Sequence, residues 1–537
     1  MNVKGKYLLP LAAILLPTVL SACGGSQQAN SALPTSRTTG TMAQATSTTG
    51  SAGAANLYGA VPQAQARAQQ VVPAAGQEGT DSTVAPPMEA LPANPFIATS
   101  EDRLSTFAMD VDTGSYTAAR NYINTGMLPP AHTVRVEEFV NYFDYSYPPP
   151  QVDVFGIYVD SAPSPFGQGT NQIVRVGIQG QHIEASNRKD AVLTFVIDVS
   201  GSMQEPNRLP LVKQALGLLV DELNQADRIG IVVYGSEARV LLEHTTVANK
   251  ETILSAIDSL GDEGSTNAEA GLRLGYDLAS KHFVPGAINR VILCSDGVAN
   301  VGETGPEGIR KKIRDYTAQG VDLTTIGFGM GDYNDQLMEQ LADDGNGNYA
   351  YVDSLGEAKR IFVENLTGTL QVIAKDAKIQ VDFNPAVVAS YRLIGYENRA
   401  VADQDFRNDT VDAGEVGAGH SVTALYEVEL APASVEGVAL TVQVRYADAK
   451  DGQVREISKP FERREFGSSL DDADPHLQLA VAVAGFAEQL RSAPGQSAQS
   501  DIRGQVLSLA QRAAGALSQD ADVQELAQLV ARASNLK

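Results

Sequence analysis

Strand-like and helix-like segments alternate across residues 187–374, and this alternation constrains the fold more than any other feature of the chain. Residues 191–197 form a continuous apolar run of the length expected for a buried strand. Further strand patterns at 228–234, 290–294 and 322–327 are separated by stretches with helical periodicity. Such alternation predicts an α/β domain with a doubly wound, mostly parallel sheet and helices on both faces.

Oxygen-bearing side chains follow two of these strands and also occur in a loop between them. Asp198, Ser200 and Ser202 occupy alternate positions just past the first strand, Thr266 lies in the intervening loop, and Asp296 follows a later strand. Ligands of parallel sheets bind at the carboxyl ends of strands, so we expect these side chains to lie close together. Carboxylate and hydroxyl oxygens suit Mg²⁺, Mn²⁺ or Ca²⁺ better than zinc or copper. Each segment alone also fits an ordinary turn, but turns do not explain the order and spacing of all three.

The ordered pattern Asp-x-Ser-x-Ser, then Thr, then Asp resembles the metal-ion-dependent adhesion site of von Willebrand factor type A domains, which have a Rossmann-like fold. The resemblance implies that Ser200, Ser202 and Thr266 bind a divalent cation, Mg²⁺ or alternatively Mn²⁺ or Ca²⁺, through their hydroxyls. It also implies that Asp198 and Asp296 act directly or through water. Because neutral hydroxyl ligands leave the cation electrophilic, the expected sixth ligand is an Asp or Glu of a partner protein.

The loop before Thr266 departs from the commoner Gly-Gly-Ser-Thr sequence, because Glu263 precedes Gly264. We expect Glu263, Gly264, Ser265 and Asn267 to form the rim of the site. An acid at this position either weakens the binding of an acidic ligand or contacts the metal-ligating side chains without touching the metal itself.

The resemblance extends beyond the central domain. Residues 109–116 and 135–143 resemble the segment that precedes the A domain in a bacterial lipoprotein family, and residues 391–399 resemble the C-terminal domain of that family. Together with the central domain, the resemblance covers nearly all of residues 100–535.

The start of the chain has the composition of a targeting segment followed by a tether. Residues 1–22 combine a short basic start with an apolar stretch that is too short and too rich in proline to span a membrane. The sequence around Cys23 resembles a bacterial lipoprotein cleavage box, which implies lipidation of Cys23; a secretory signal with a chance cysteine is the alternative. Gly24 in place of Asp is similar to lipoproteins sent to the outer membrane, which implies its periplasmic side. Residues 23–99 include a long stretch poor in aromatic side chains, and we expect a flexible tether.

The remaining segments predict modules around the A domain at 187–374. We expect a helical segment at 100–150, strands at 151–186, a β-sandwich at 375–465 and C-terminal helices at 470–537. Both ends of a doubly wound domain can leave at the side opposite its binding site. The strands on either side can therefore pair in one sandwich, with the A domain as an insertion.

Charge and motif content restrict the classes of function. The chain has 64 acidic and 40 basic residues and a net charge of −24, which disfavours binding to nucleic acid. Cys294 has no partner for an intrachain disulfide once Cys23 is lipidated, and we expect a buried, inert thiol.

The sequence has no zinc-protease, phosphate-loop or nucleophile-elbow motif. It favours a non-enzymatic, lipid-anchored envelope protein that engages a protein partner through a metal. The alternatives are a Mg²⁺-dependent hydrolase and a structural lipoprotein with a purely stabilising metal.

Overall fold

The computed structural model describes residues 92–166, 171–297, 305–329, 335–411, 413–432, 435–492 and 499–536. The predicted signal peptide, the lipidation site Cys23 and most of the predicted tether lie outside these residues.

Sixteen strands lie in the described residues, and their bounds in chain order are as follows: β1 (Ile97–Ala98), β2 (Leu104–Ala108), β3 (Phe155–Pro163), β4 (Asn171–Gly180), β5 (Ala191–Asp198), β6 (Arg228–Tyr234), β7 (Ala238–Thr246), β8 (Ile288–Ser295), β9 (Asp322–Phe328), β10 (Tyr349–Val352), β11 (Val372–Phe383), β12 (Val388–Ile394), β13 (Gly414–Gly417), β14 (Ser421–Leu430), β15 (Val438–Asp448) and β16 (Val454–Glu462).

Twelve α-helices lie in the same described residues: α1 (Gly114–Asn124), α2 (Val136–Asn141), α3 (Leu209–Glu222), α4 (Lys250–Asp258), α5 (Ala268–Lys281), α6 (Gly305–Thr317), α7 (Asp335–Asp344), α8 (Leu355–Lys359), α9 (Leu366–Leu370), α10 (Pro475–Arg491), α11 (Gln499–Ala516) and α12 (Ala521–Ala533). A π-helical turn, Arg360–Glu364, joins α8 to α9.

The central sheet has the strand order β10-β9-β8-β5-β6-β7 and is parallel except for the edge strand β7. Every residue of β5 is buried, because side chains on opposite faces of the strand enter different cores. Phe195 and Ile197 pack with α3 and α4, whereas Val196 packs with α5, α6 and α7. A strand buried on both faces reads as a continuous apolar run, which is why β5 was visible in the sequence. The doubly wound, mostly parallel fold is confirmed.

The strands that precede and follow this domain in the sequence form a β-sandwich. One sheet has the order β1-β12-β14-β4-β3, and the other has the order β13-β11-β15-β16, with β2 also paired to β11. Strand β4 precedes the central domain and β14 follows it, and the two pair antiparallel from Asn171↔Glu429 to Ser421↔Gln179. The central domain is therefore inserted between strands of one sandwich, as the topological hypothesis requires.

Two strands lie where the sequence predicted a tether or helices. Strand β1 falls inside the predicted tether 23–99 and pairs with β12, and β2 falls inside the predicted helical segment 100–150 and pairs with β11. The prediction was wrong at these positions because neither strand is long enough to show a pattern of its own. Phe107 of β2 is fully buried in the sandwich core, so tertiary packing rather than local sequence decides its conformation.

A third core joins the N-terminal and C-terminal helices. The ring of Phe139 of α2 packs against Tyr116 of α1, with ring centroids 5.4 Å apart, and against Phe486 of α10, with ring centroids 6.2 Å apart. Helices α11 and α12 complete this core. None of the helices in the described part of the chain is both long and apolar enough to cross a membrane.

Candidate metal centre

The loop after β5 brings one carboxylate and two hydroxyls together. Asp198 is the last residue of β5, and its Oδ1 accepts a hydrogen bond of 2.9 Å from the backbone N–H of Ser200. This turn aligns Ser200 with Ser202, so that their Oγ atoms lie 3.0 Å apart. Three of the five predicted ligands therefore lie in one short loop at the carboxyl end of a central strand.

The neighbouring strand β8 adds a contact that the sequence analysis missed. Parallel pairing of β5 with β8 sets Ile197 beside Cys294, so Asp198 and Ser295 follow at the same level. The Ser295 hydroxyl donates to Asp198 Oδ2 over 3.0 Å. Both oxygens of Asp198 thus accept hydrogen bonds, which fixes the plane of its carboxylate. The signal in the sequence was the position of Ser295, directly before a predicted ligand at a strand end.

Asp296 is connected to the first loop by an arginine rather than by a direct contact. Arg208 Nη1 donates to Asp296 Oδ2 over 2.6 Å and to the backbone oxygen of Ser202 over 2.7 Å. The Arg208 and Asp296 side chains are only 16% and 9% exposed. No spacing rule pointed to Arg208, because it precedes α3 at a position that an ordinary surface residue can occupy.

The third predicted loop lies against the first through backbone hydrogen bonds. The N–H of Gly201 donates to the carbonyl of Gly264 over 3.0 Å, and the N–H of Glu263 donates to the carbonyl of Val199 over 2.5 Å. Thr266 follows in this loop and is half-buried. Among the contacts of the described residues, it makes no hydrogen bond to the other four predicted ligands. The structure therefore places the loop of Thr266 beside the site without linking its hydroxyl to it.

The predicted rim residues have individual roles. Glu263 is exposed and pairs with Arg239 of β7 over 2.6 Å, so its charge is partly compensated by this arginine. Asn267 caps α5 by accepting a hydrogen bond of 3.2 Å from the N–H of Ala270. Ser265 is exposed, and its backbone N–H donates to Ser236 Oγ over 3.1 Å.

Gly264 is required by the backbone. Its φ of +70° is in the left-handed region, and a Cβ there would lie 2.2 Å from Ser236 Oγ. The departure from the commoner loop sequence therefore leaves a glycine at the position where the chain needs one.

Burial controls the electrostatics of the site. It raises the pKa of Asp198, and the nearby charge of Asp296 raises it further, whereas hydrogen bonds from Ser200 and Ser295 oppose the shift. Burial also raises the pKa of Tyr234, and Asp198 adds to that effect. Burial is the largest cause of the Asp198 shift, so a cation at the site would stabilise the ionised form of this carboxyl.

The residues present fit a hard divalent cation. Adjacent ligands in an octahedron with bonds of about 2.1 Å lie about 3.0 Å apart, which matches the spacing of the Ser200 and Ser202 hydroxyls. No group of three His, Cys, Asp or Glu side chains within the described ranges is arranged to hold a metal. A cation at this site would therefore need hydroxyl oxygens among its ligands, as the resemblance to an adhesion-type site implies.

Cys294 has no part in this chemistry. It is a free, fully buried thiol in β8, and burial raises its pKa to about 12. The prediction of a buried, unpaired cysteine is confirmed, and a thiol with so high a pKa is a poor metal ligand and a poor nucleophile.

Family models match three consecutive parts of the chain. The model of the von Willebrand factor type A domain matches residues 193–364, a second von Willebrand factor model matches residues 87–175, and the model described as the C-terminal part of YfbK matches residues 368–536. The protein named "Uncharacterized protein YfbK" of Escherichia coli K12 is 38% identical over 425 residues, which cover 74% of this chain and 73% of the relative. The chain belongs to the YfbK family.

Members of the YfbK family contain a von Willebrand factor type A domain. More distant similarity is found to the following proteins. Human inter-alpha-trypsin inhibitor heavy chain H3 is 26% identical over 57% of this chain but only 33% of its own length. The solved von Willebrand factor type A protein of Catenulispora acidiphila aligns with 70% of this chain and 89% of its own, at 15% identity and a TM-score of 0.42. The VWA2 paralogue of ArnB from Sulfolobus acidocaldarius aligns with 70% and 93%, at 16% identity and a TM-score of 0.36.

Proposed function

We propose that this YfbK-family chain is a non-enzymatic binding protein of the cell envelope that engages a protein partner through a divalent cation. The observation that carries the proposal is the pair of hydroxyls of Ser200 and Ser202, 3.0 Å apart beside the buried carboxylate of Asp198. Von Willebrand factor type A domains commonly mediate protein–protein contacts and commonly bind a divalent metal, which supports the same interpretation.

Each residue has a defined role in this proposal. Ser200 and Ser202 hold the cation, here Mg²⁺ with Mn²⁺ and Ca²⁺ as alternatives, and Thr266 joins them when a partner binds. Asp198 and Asp296 supply the negative charge. A bound cation would act as a Lewis acid that attracts the carboxylate of an Asp or Glu on the partner. Two carboxylates neutralise a divalent cation less than four or five would, so the affinity for an acidic side chain is retained.

A Mg²⁺-dependent hydrolase is the second candidate, and the surroundings of the site disfavour it. Such an enzyme needs a general base or a nucleophile beside the metal. Among the described residues, His244 of β7 contacts Thr194 of β5 and His282 contacts Glu243, so these contacts of the two histidines do not involve a predicted ligand. Asp296 is already engaged by Arg208.

The place of the protein in the cell is part of the proposal and is supported by the sequence alone. Lipidation of Cys23 would attach the protein to a membrane. Several acyl chains on this residue would give a stable anchor, because one acyl chain alone anchors a protein only marginally. Gly24 supports the periplasmic side of the outer membrane. The Ser-, Gln- and Pro-rich tether would then hold the folded part away from the lipid surface.

A capture experiment with matched variants tests the function. The lipidated full chain is immobilised and exposed to envelope extract with Mg²⁺ or with EDTA, alongside Asp198→Asn and Asp262→Asn variants. Asp262 is a matched control because it is an exposed acid near the site that accepts a hydrogen bond from Gln204. We expect one set of proteins to be captured only with Mg²⁺, by the wild type and Asp262→Asn but not by Asp198→Asn.

Two results would replace the proposal. Metal-dependent stabilisation without any Asp198-dependent capture would indicate a structural lipoprotein. Hydrolysis of generic phosphate or peptide substrates that disappears in an Asp296→Ala variant would indicate the enzyme.

A further inference from the structure

Arg208 connects two loops of the candidate metal centre through one nitrogen atom. Its Nη1 lies 2.6 Å from Asp296 Oδ2 and 2.7 Å from the backbone oxygen of Ser202. The ion pair is largely buried, so solvent screens it less than an exposed pair. Arg208 is therefore a fixed positive charge next to one of only two carboxylates among the five predicted ligands.

The position of Arg208 is determined by packing as well as by charge. Its side chain lies on Gly329, which follows β9 with a φ of +83°. A Cβ at Gly329 would lie 2.4 Å from Nε and 2.7 Å from Cγ of the arginine. The Gly329 carbonyl in turn accepts a hydrogen bond from the Tyr351 hydroxyl. Because Gly329 has no side chain, the Arg208 side chain can pack directly against its backbone. This packing restricts the rotamers of Arg208, whereas an exposed arginine would sample many rotamers.

This geometry has two consequences for a divalent cation at the site. Arg208 repels the cation and competes with it for Asp296, and both effects weaken the binding of the metal. Once the cation is bound, the same positive charge leaves the metal and its ligands less fully neutralised. A partner carboxylate then meets a more positive site than the predicted ligands alone would create.

We propose that Arg208 is a built-in counter-cation of Asp296, which lowers the affinity of the site for the metal and raises the affinity of the bound metal for a carboxylate. This inference rests on the proposed function, since it concerns the same metal. It adds a specificity-determining residue that lies outside the Asp-x-Ser-x-Ser, Thr and Asp pattern.

Calorimetric titration of the full chain in detergent with MnCl₂ and MgCl₂ measures the first effect. The variants are Arg208→Gln, which removes the charge, and Arg208→Lys, which keeps it. Arg239→Gln is the matched control, because Arg239 forms an exposed ion pair with Glu263 of the neighbouring loop and this pair does not include a predicted ligand. We expect Arg208→Gln to bind both metals on the order of tenfold more tightly than the wild type, and we expect Arg208→Lys and Arg239→Gln to remain within about twofold of it.

Acetate as a minimal carboxylate probe measures the second effect. Water-proton relaxation of the Mn²⁺-loaded protein falls when acetate displaces a bound water molecule. We expect the acetate concentration at half-effect to rise several-fold in Arg208→Gln and to stay unchanged in Arg208→Lys. Metal-free thermal melts show whether each variant is folded, and the lysine variant keeps the test valid if the glutamine variant is unstable.

The possible failures are distinguishable. If the wild type binds metal and loses it in Asp198→Asn, but Arg208→Gln binds with unchanged or weaker affinity, the role of Arg208 is refuted and the proposed function stands. Unchanged acetate binding in a tighter-binding Arg208→Gln refutes the carboxylate half of the inference. If neither the wild type nor Arg208→Gln binds either metal, the proposed function fails and the inference fails with it.

Discussion

Arg399 donates to Glu339 over 2.9 Å across the boundary between the β-sandwich and the inserted domain. Arg399 follows β12 of the sandwich, and Glu339 lies on α7 of the inserted domain. The same guanidinium pairs with Asp343 of α7 at 2.8 Å and with Asp110 of the N-terminal segment at 3.2 Å. One arginine of the sandwich therefore joins three parts of the chain.

Replacing Arg399 with Ala should destabilise the fold strongly. Removing it leaves Glu339 and Asp110, which are only 6% and 3% exposed, without this cation, and breaking a buried ion pair costs about 3–5 kcal/mol. Urea unfolding followed by circular dichroism measures the loss. Arg407→Ala is the control, because Arg407 pairs with Glu456 at the surface and its loss should cost less than about 1 kcal/mol. Equal costs for the two variants would contradict the role of Arg399.

The sequence predicted the inserted domain better than its surroundings, for physical reasons. Strand β5 is apolar on both faces, and α5 has a strong amphipathic pattern and an Asn267 cap, so local sequence and tertiary fold agree. Strand β7 was missed because its residues are mostly half-buried and show no clean alternation. Strand β2 was missed because only its partner β11, far away in the chain, makes it a strand.

Only some features of the candidate site could likewise be predicted from the sequence. The proximity of Asp198, Ser200 and Ser202 could be predicted because these residues lie in one short loop and their contacts are local. The role of Arg208 could not, because it depends on which loops meet at the edge of the folded sheet. For Ser295 the sequence offered its position directly before Asp296, but its contact to Asp198 also depends on the pairing of β5 with β8. Sequence spacing reports contacts within a loop, whereas contacts between loops require the fold.

The buried carboxylate of Glu137 should make stability depend on pH. Its Oε2 accepts a hydrogen bond of 2.9 Å from the N–H of Tyr396, and burial raises its pKa to about 7. A carboxyl whose pKa is higher in the folded than in the unfolded state binds more protons when folded. Its contribution is therefore fully present below about pH 4.5 and is lost as the pH rises through about 7.

Urea unfolding between pH 4.5 and 7.5 measures this dependence. We expect Glu137→Gln, which keeps an acceptor for Tyr396 and carries no charge, to remove a pH-dependent loss of about 3 kcal/mol. Glu429→Gln is a suitable control, because that acid lies at the exposed end of β14 and accepts from Ser390 at the surface. Parallel pH profiles of wild type and Glu137→Gln would show that Glu137 is not the responsible group.

Gly264→Ala should damage the candidate metal centre more than it damages the fold. The positive φ costs an alanine about 1 kcal/mol, and the new Cβ would press on Ser236 Oγ, so the loop of Thr266 must shift. Gly286→Ala is matched in backbone conformation, since Gly286 has a φ of +83°, but a Cβ there meets open space in a turn away from the site. Both variants should lose about 1 kcal/mol for the positive φ in metal-free urea unfolding, and Gly264→Ala somewhat more because of Ser236, but only Gly264→Ala should lose Mn²⁺ affinity in calorimetry. Equal Mn²⁺ affinity in the two variants would show that the Thr266 loop does not contribute to metal binding.

Mg²⁺ should stabilise the folded chain in a manner that depends on Asp198. A ligand that binds only the folded state adds about 2.7 kcal/mol at one hundred times its dissociation constant. Asp198→Asn keeps the shape of the side chain and removes its charge, so the metal-dependent gain should disappear while metal-free stability changes little. Two effects oppose each other without metal: burial and the charge of Asp296, which raise the pKa of Asp198, disfavour the ionised form, whereas the amide loses one of the two hydrogen bonds that the carboxylate accepts from Ser200 and Ser295. Urea unfolding with Mg²⁺ and with EDTA gives both quantities, and a gain from Mg²⁺ that persists in Asp198→Asn would place the cation somewhere other than the loop after β5.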